Sequence, residues 1–257
     1  MRAEIQCAVQ FMRKEMYLSF KNLKSDFLDN LVCFLCWIII FGYFMPSSGN
    51  SNLGSLILAG AIASFGLFGT IWRATLLAQD VTDKKINAYL ILPMPSRYVF
   101  IGLVVSWSLY AATITLCLFP IGKLLLWNQL DLSRFSILKF IPIFILSHLF
   151  YGFFSLWISS LVTNLRSTAW LWSRVVNPLF MFSGFFYTWK EAYTLVPWIG
   201  CLNLLNPLLY ILEATKVSFF GAQGYLPYWL ALLALLLFTT FFAFDGVRRF
   251  KKRIDYV

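Results

Sequence analysis

Long apolar runs separated by short polar segments dominate this chain. An α-helix rises 1.5 Å per residue, so about 20 apolar residues cross a hydrocarbon core of roughly 30 Å. The sequence therefore predicts an all-α multi-pass membrane protein in which residues 1–257 form a single transmembrane domain. The six transmembrane helices are predicted at residues 27–45, 53–78, 98–126, 137–163, 168–187 and 226–244.

Residues 192–220, between the fifth and sixth predicted spans, are apolar but interrupted. The interruptions are Pro197 and the pair Asn206-Pro207. Each half of this stretch is too short to cross a bilayer, and a proline ends or kinks a helix. The pattern predicts two half-helices that enter the membrane from the outside and return, forming a re-entrant outer hairpin.

Residues 1–26 show the three- and four-residue spacing of an amphipathic helix. Basic residues fall between the apolar positions, as expected for a helix that lies on the membrane surface with its lysines near anionic headgroups. The apolar positions are Ile5, Val9, Met12, Met16, Phe20, Leu23 and Phe27.

Composition agrees with a membrane protein, because 60% of the residues are hydrophobic and only 12% are charged, whereas a soluble domain has about 25% charged residues. The net charge of +10 comes from short basic segments and not from one patch, so it favours membrane orientation over nucleic-acid binding. Most of the 21 basic residues lie in segments 1–26, 79–98, 164–174 and 245–257. The positive-inside rule then predicts an inner-membrane protein with both termini, including the basic tail 245–257, in the cytoplasm.

The sequence offers little for catalysis or metal binding. His148 is the single histidine, and its predicted span contains no acidic residue to orient it, so we expect a hydrogen bond between packed helices. The five cysteines are scattered, and the odd number gives no disulfide framework. One histidine and scattered thiols do not form a metal site.

An energy source within the chain is also missing. Gly122-Lys123 resembles the end of a phosphate-binding loop, but Cys117 and Leu124 replace residues that the motif requires. No aspartate or glutamate lies in the middle of a predicted span, where a proton relay would need one. The sequence therefore predicts that the driving force comes from a partner.

The loop at residues 80–97 is where such a partner can attach. Asp80 or Thr82 can cap a short helix, and Pro93 and Pro95 end it. The segment combines an apolar stripe with charges, which is typical of a helix that fits a groove on another protein. A solvated connection that only obeys the positive-inside rule is the alternative.

The order of these parts resembles the ABC-2 transporter permease family, in which two permeases pair with two cytosolic ATPases. The match rests on the amphipathic helix before the first span and on three local motifs. These are Pro93-Met94-Pro95-Ser96-Arg97 after the cytoplasmic helix, Asn177-Pro178-Leu179-Phe180-Met181-Phe182-Ser183-Gly184-Phe185-Phe186-Tyr187 in the fifth span, and Val196-Pro197-Trp198 with Asn206-Pro207-Leu208-Leu209-Tyr210 in the hairpin. Lys216 departs from the family pattern, which usually has Arg or Gln there.

The resemblance implies a homodimeric permease of an ABC exporter without enzymatic activity or a cofactor of its own, since ATP and Mg would be bound by two partner ATPases. Segment 80–97 would then be the coupling helix that contacts the ATPase. The contact residues would be Asp80, Asp83, Lys84, Lys85, Tyr89 and Arg97.

The resemblance also implies a pathway at the dimer interface, closed on the outside by the hairpin with Pro197, Asn206 and Pro207. Aromatic walls suit an amphiphilic or lipid-linked substrate in contact with membrane lipids. The residues expected to line the pathway and gate are Trp37, Phe41, Phe65, Phe68, Trp170, Trp172, Met181, Phe185, Phe186 and Tyr187. Alternatively, these side chains face lipid or neighbouring helices.

Two other functions stay open from the residues alone. A membrane-embedded enzyme acting on lipid-linked substrates would require His148 to have a catalytic partner. A passive channel or membrane scaffold would work without nucleotide dependence.

Overall fold

The computed structural model describes residues 2–45, 53–83, 95–127, 129–162 and 165–255, and all regular secondary structure in these ranges is helical. We number the α-helices in chain order. They are α1 (Arg2–Phe20), α2 (Leu23–Ile39), α3 (Leu53–Thr82), α4 (Ser96–Leu125), α5 (Ile137–Leu161), α6 (Leu165–Leu171), α7 (Asn177–Met181), α8 (Trp189–Leu195), α9 (Pro197–Asn203), α10 (Pro207–Phe220) and α11 (Tyr228–Asp255). Two π-helical stretches extend α2 (Ile40–Phe44) and join α6 to α7 (Trp172–Val176).

Five helices within the described ranges are long and apolar enough to cross a membrane. This confirms the prediction of an all-helical, multi-pass membrane protein. The five segments are Leu23–Phe44, Leu53–Thr82, Tyr98–Leu125, Ile137–Leu161 and Tyr228–Lys252.

The N-terminal helix and the first predicted span meet at Lys21-Asn22, several residues before the boundary predicted from the sequence. The N-terminal helix predicted for residues 1–26 ends at Phe20, and the span predicted for residues 27–45 begins at Leu23. Asn22 has a non-helical ψ of 13° at this junction. Because the apolar spacing runs unchanged from α1 into α2, the sequence pattern gives no sign of the bend.

The remaining long helices differ from their predicted ranges mainly at polar ends. The span predicted for residues 53–78 continues to Thr82, and the one predicted for residues 226–244 begins at Tyr228 and continues through most of the basic tail to Asp255. An Asp245–Arg249 pair one turn apart supports this extension. The spans predicted at 98–126 and 137–163 are Ser96–Leu125 and Ile137–Leu161.

The fifth predicted span, 168–187, is shorter and less regular than expected. Its helical part begins at Leu165, passes through the π-helical stretch and ends at Met181. After Met181 the chain turns, with Gly184 at a φ of 82°. A left-handed glycine is incompatible with a continuing helix, so residues 182–187 belong to a turn.

The segment predicted as a two-part hairpin at residues 192–220 contains three short helices, α8, α9 and α10. The breaks at Pro197 and Asn206-Pro207 are where the sequence placed them, since each proline occupies the first turn of its helix. The additional helix α8 is set by Thr188 and Glu191, which form a capping box.

Helix α3 lies at the centre of the bundle, where its small residues allow close approach of neighbours. A Cβ atom added at Gly66 would lie 3.0 Å from His148 Nε2, and one at Gly60 would lie 3.1 Å from the ring of Phe185. The small residues of this helix thus allow its neighbours to pack closely against it.

Helix α1 packs on α4 with a face that includes only part of the predicted apolar stripe. Phe11 is buried, and Ser19 Oγ lies 2.8 Å from Ser106 Oγ. The stripe residues Ile5 and Val9 are exposed by 53% and 43%. The stripe is thus divided, because Phe20, Leu23 and Phe27 are half-buried and pack against the core, and only its N-terminal part is exposed as a face turned to lipid would be.

Candidate functional site

Trp37 of α2 is the hub of an aromatic cluster that joins three separate parts of the chain. Its ring centroid lies 4.9 Å from that of Phe185 in an edge-to-face arrangement and 5.7 Å from that of Phe186 in a stacked one. It also contacts Phe65 of α3 and Phe180 of α7. Each such pair adds about 0.5–1.5 kcal/mol beyond the burial of its area.

Most of the residues predicted to line a pathway meet in or beside this cluster. Phe65 and Phe185 are fully buried, whereas Trp170, Trp172 and Met181 are exposed. The partly buried residues of the predicted set are Trp37, Phe41, Phe68, Phe186 and Tyr187. The set is thus divided between the interior of the protomer and its surface.

Phe180 is a member of the cluster that the sequence analysis did not single out. Its ring lies 5.1 Å from Phe68 and 5.1 Å from Phe185. The signal that could have identified it is its place in the Asn177–Tyr187 motif, one helical turn after Val176, another buried residue.

The turn after α7 holds Phe185 in the cluster. Ser183 Oγ donates a hydrogen bond of 2.5 Å to the carbonyl oxygen of Phe180, and Gly184 adopts its left-handed conformation. A Cβ atom on Gly184 would lie 3.2 Å from Leu209 Cδ1 and 3.3 Å from the carbonyl oxygen of Tyr187. This turn has no room for a larger residue.

Lys216 of α10 is fully buried beneath this turn. Its ammonium group donates hydrogen bonds to the carbonyl oxygens of Gly184 and, at 2.7 Å, of Tyr187. Burial lowers the pKa of Lys216 to about 8. The side chain thus fastens α10 to the turn that carries Phe185 and Phe186.

Glu213, one turn before Lys216, is also fully buried and makes the complementary contacts. Its two carboxylate oxygens accept hydrogen bonds of 2.9 Å from the backbone N–H groups of Trp189 and Leu226. Burial raises the pKa of this carboxyl group, and the charge of Lys216 opposes that shift. In the sequence, Lys216 stands out only as a departure from a family pattern and Glu213 has no evident role, because their partners are backbone groups distant in sequence.

The three hairpin residues named from the sequence have capping and tethering roles. Asn206 Oδ1 accepts a hydrogen bond of 3.0 Å from Leu208 N at the start of α10, and its amide nitrogen donates one of 2.6 Å to the carbonyl oxygen of Leu179. Pro197 and Pro207 occupy the first turns of α9 and α10. Asn206 thereby ties the start of α10 to α7.

The predicted ATPase contacts are only partly covered by the structure. Asp80 lies in the last turn of α3, Asp83 directly follows that helix, and the backbone of Arg97 lies in the first turn of α4. Lys84, Lys85 and Tyr89 lie outside the described residues. The coupling helix therefore stays a prediction.

His148 is buried between α4 and α5, and both of its ring nitrogens are engaged. Nε2 lies 2.9 Å from Thr115 Oγ1, and Nδ1 lies 2.7 Å from the carbonyl oxygen of Phe144. The hydrogen bond to Thr115 joins neighbouring helices, which is the packing role expected for this residue. Neither contact supplies a carboxylate to orient the ring for catalysis.

Arg73 joins the end of α1 and the start of α2 to the central helices. Its guanidinium lies 3.6 Å from a carboxylate oxygen of Asp26 and 3.8 Å from the ring centroid of Tyr110, and it donates a hydrogen bond of 2.7 Å to the carbonyl oxygen of Ser19. Tyr110 donates to the same carboxylate. This group ties the junction between α1 and α2 to α3 and α4.

A comparison with models of protein families matches the ABC-2 type transporter model to residues 8–220. The match includes all the helices that build the aromatic cluster and the Lys216 site. This chain belongs to the ABC-2 type transporter family. It is therefore the membrane-spanning permease component of an ABC transporter, and permeases of this family usually work with separate ABC ATPase subunits. No individual curated protein matches the permease in sequence.

Proposed function

We propose that this ABC-2 permease exports an amphiphilic or lipid-linked substrate across the inner membrane as a homodimer driven by two cytosolic ATPases. Six crossings with both termini in the cytoplasm are part of the proposal. The helical segment from Leu165 to Met181 serves as the fifth crossing, and α8–α10 form the outer hairpin.

The observation that carries this proposal is the fastening of α10 to the aromatic cluster. Lys216 binds two carbonyl groups of the turn that carries Phe185, and Glu213 binds the N–H groups that begin α8 and precede α11. Movement of α10 is thereby transmitted to Phe185 and Phe186, which pack on Trp37. Such a linkage suits a gate that opens and closes a pathway with aromatic walls.

In the proposed cycle, ATP closes the two ATPases and segment 80–97 carries the movement into α3 and α4. The group formed by Asp26, Arg73 and Tyr110 supports this route, because it connects those helices with α2, on which Trp37 lies. The cluster and the hairpin then open outward. The ATPases supply the free energy, and the permease supplies the pathway.

The experiment that tests coupling replaces Lys84, Lys85 and Tyr89 with alanine together. The permease and its ATPase are purified and reconstituted in liposomes, and ATP-dependent movement of substrate is measured. We expect coupled transport to be lost while the permease still inserts and elutes as an intact protein. Unchanged ATP-driven transport by the triple variant would show that the coupling contact lies elsewhere.

A further inference from the structure

Arg174 is the one charged residue between Ser167 and Met181, and its side chain is exposed on the surface of the protomer. It lies about 14 Å along the helix axis from Leu165, at 1.5 Å per residue. Nearby Trp172 packs its ring 5.7 Å from Phe68, which is close to the middle of the 30-residue helix α3. The sequence analysis counted Arg174 in the basic segment 164–174 and also within the predicted span 168–187, and the structure places it in the π-helical stretch Trp172–Val176.

A charge at such a position is costly and usually has a function. Within the described residues, no ion pair joins Arg174 to a carboxylate, and the contact that its guanidinium makes is with the ring of Trp170, at 5.6 Å. The residue also lies in the π-helical stretch Trp172–Val176, a type of distortion that is frequent at functional sites.

Arg174 opens into a cavity of about 450 Å³ between α7 and α9. The described residues that line the cavity are mainly apolar, with two amide side chains and no acidic residue among them. The lining residues include Pro178, Phe182, Trp198, Leu202, Asn203 and Asn206. The site thus combines one uncompensated positive charge with an apolar space large enough for part of a small ligand.

We propose that Arg174 binds the anionic head, a phosphate or carboxylate, of an amphiphile whose apolar chain occupies this cavity. A guanidinium binds either group through two parallel hydrogen bonds and is less strongly hydrated than an ammonium group. The apolar walls favour a chain over a free inorganic anion. A cationic head would be repelled by Arg174. This inference rests on the proposed function, and it names the class of substrate that the permease carries.

The test measures binding to the full-length permease alone, in nanodiscs of phosphatidylcholine and without ATPase or nucleotide. Two dodecyl probes carry a diazirine at the end of the chain and differ in the head, which is phosphate in one and trimethylammonium in the other. After illumination, mass spectrometry locates and quantifies the labelled residues. We expect the phosphate probe to label the cavity walls of α7 and α9 at least about tenfold more than the ammonium probe, which corresponds to about 1.4 kcal/mol, because only the phosphate can accept charge-assisted hydrogen bonds from Arg174.

Variants at Arg174 distinguish the effect of its charge on binding from a general effect on the fold. Arg174→Gln should lower cavity labelling by the phosphate probe about tenfold, and Arg174→Lys, which keeps the charge but not the paired hydrogen bonds, should give an intermediate level. Arg134→Gln is the matched control, because this exposed arginine lies in the loop before α5. Its labelling should equal that of the unaltered permease.

Each of the following results would overturn the inference. The first is equal cavity labelling by both probes, or no effect of Arg174→Gln. The second is displacement of the phosphate probe by inorganic phosphate as efficiently as by dodecyl phosphate, which would indicate a site for a free anion. The third is absence of labelling together with a disulfide between two Leu202→Cys permeases, which would show that a second copy fills the cavity. Because no ATPase is present in this binding assay, none of these results bears on the proposed ATP-driven transport, which is tested separately by the reconstituted transport assay.

Discussion

Lys216 and Glu213 form a buried polar site whose partners are backbone groups. The two carbonyl oxygens bound by Lys216 and the two N–H groups bound by Glu213 all lie in turns or at helix ends. A buried polar group that loses its partner costs about 1–3 kcal/mol, and more if it is charged. The site therefore fixes the conformation of segments that have few regular hydrogen bonds of their own.

Replacing Lys216 with methionine should destabilise the permease by about 3 kcal/mol, because two carbonyl groups and the Glu213 carboxylate lose a buried cation. Thermal unfolding in detergent measures this as a lower midpoint. Lys190→Met is the control, since Lys190 of α8 is exposed, and it should leave the midpoint unchanged. Equal midpoints for both variants would mean that Lys216 does not hold the turn.

Gly184 and Gly224 provide a matched pair for the role of the turn after α7. Both have a φ between 82° and 85°, but a Cβ atom on Gly224 would have no neighbour within 4 Å, whereas one on Gly184 would contact Leu209 and Tyr187. Gly224→Ala should cost about 1–2 kcal/mol from backbone strain alone. Gly184→Ala should lower the unfolding midpoint further and reduce transport, and equal effects of the two changes would contradict the packing described for the turn.

At the scale of elements, α3 is surrounded by neighbours that depend on its glycines. A Cβ atom on Gly66 would press on the ring of His148, which is held by Thr115 and Phe144, whereas one on Gly69 would make an ordinary 3.5 Å contact with Tyr110. The tolerance for an added methyl group should therefore differ between two adjacent turns of the same helix.

Gly66→Ala should destabilise the permease by about 1–3 kcal/mol through overpacking. Gly69→Ala should be neutral or slightly stabilising, because alanine is the better helix former by about 1 kcal/mol. The unfolding midpoints of the two variants, measured side by side, test the contrast. A larger decrease of the unfolding midpoint for Gly69→Ala than for Gly66→Ala would contradict the close contact described between Gly66 and His148.

The long elements were predictable because bilayer thickness imposes a length and a composition on each crossing. The proline breaks at Pro197 and Pro207 were likewise visible, since proline restricts the helix it begins. The end of the fifth predicted span at Met181 was not predictable. Residues 182–187 are as apolar as the helix before them, and the turn that they form depends on contacts with α10. Helix α8 was missed because a capping box has a weaker signal than an apolar run.

The sequence identified many residues of the candidate site but could not predict which of them contact each other. The motif Asn177–Tyr187 pointed to Phe185 and Phe186, and their contact with Trp37 required the fold. Lys216 and Glu213 bind main-chain groups, which leave no pattern of side chains to read.

At the scale of the whole molecule, the basic segments imply an orientation. If both termini are cytoplasmic, a cysteine at position 223, in the loop after α10, faces outward, and one at position 251, near the end of α11, faces inward. In a cysteine-free background, a membrane-impermeant maleimide should label Gln223→Cys in intact cells and Lys251→Cys only after lysis. The reverse pattern would invert the proposed topology and the direction of transport.

The central claim is that this permease moves its substrate with free energy supplied by separate ATPases. The most direct measurement is uphill movement of an amphiphilic substrate in proteoliposomes that contain the permease either alone or with its ATPase, with and without ATP. The account predicts accumulation against a gradient only when the permease, the ATPase and ATP are all present. Equal accumulation by the permease alone, without ATP, would contradict it.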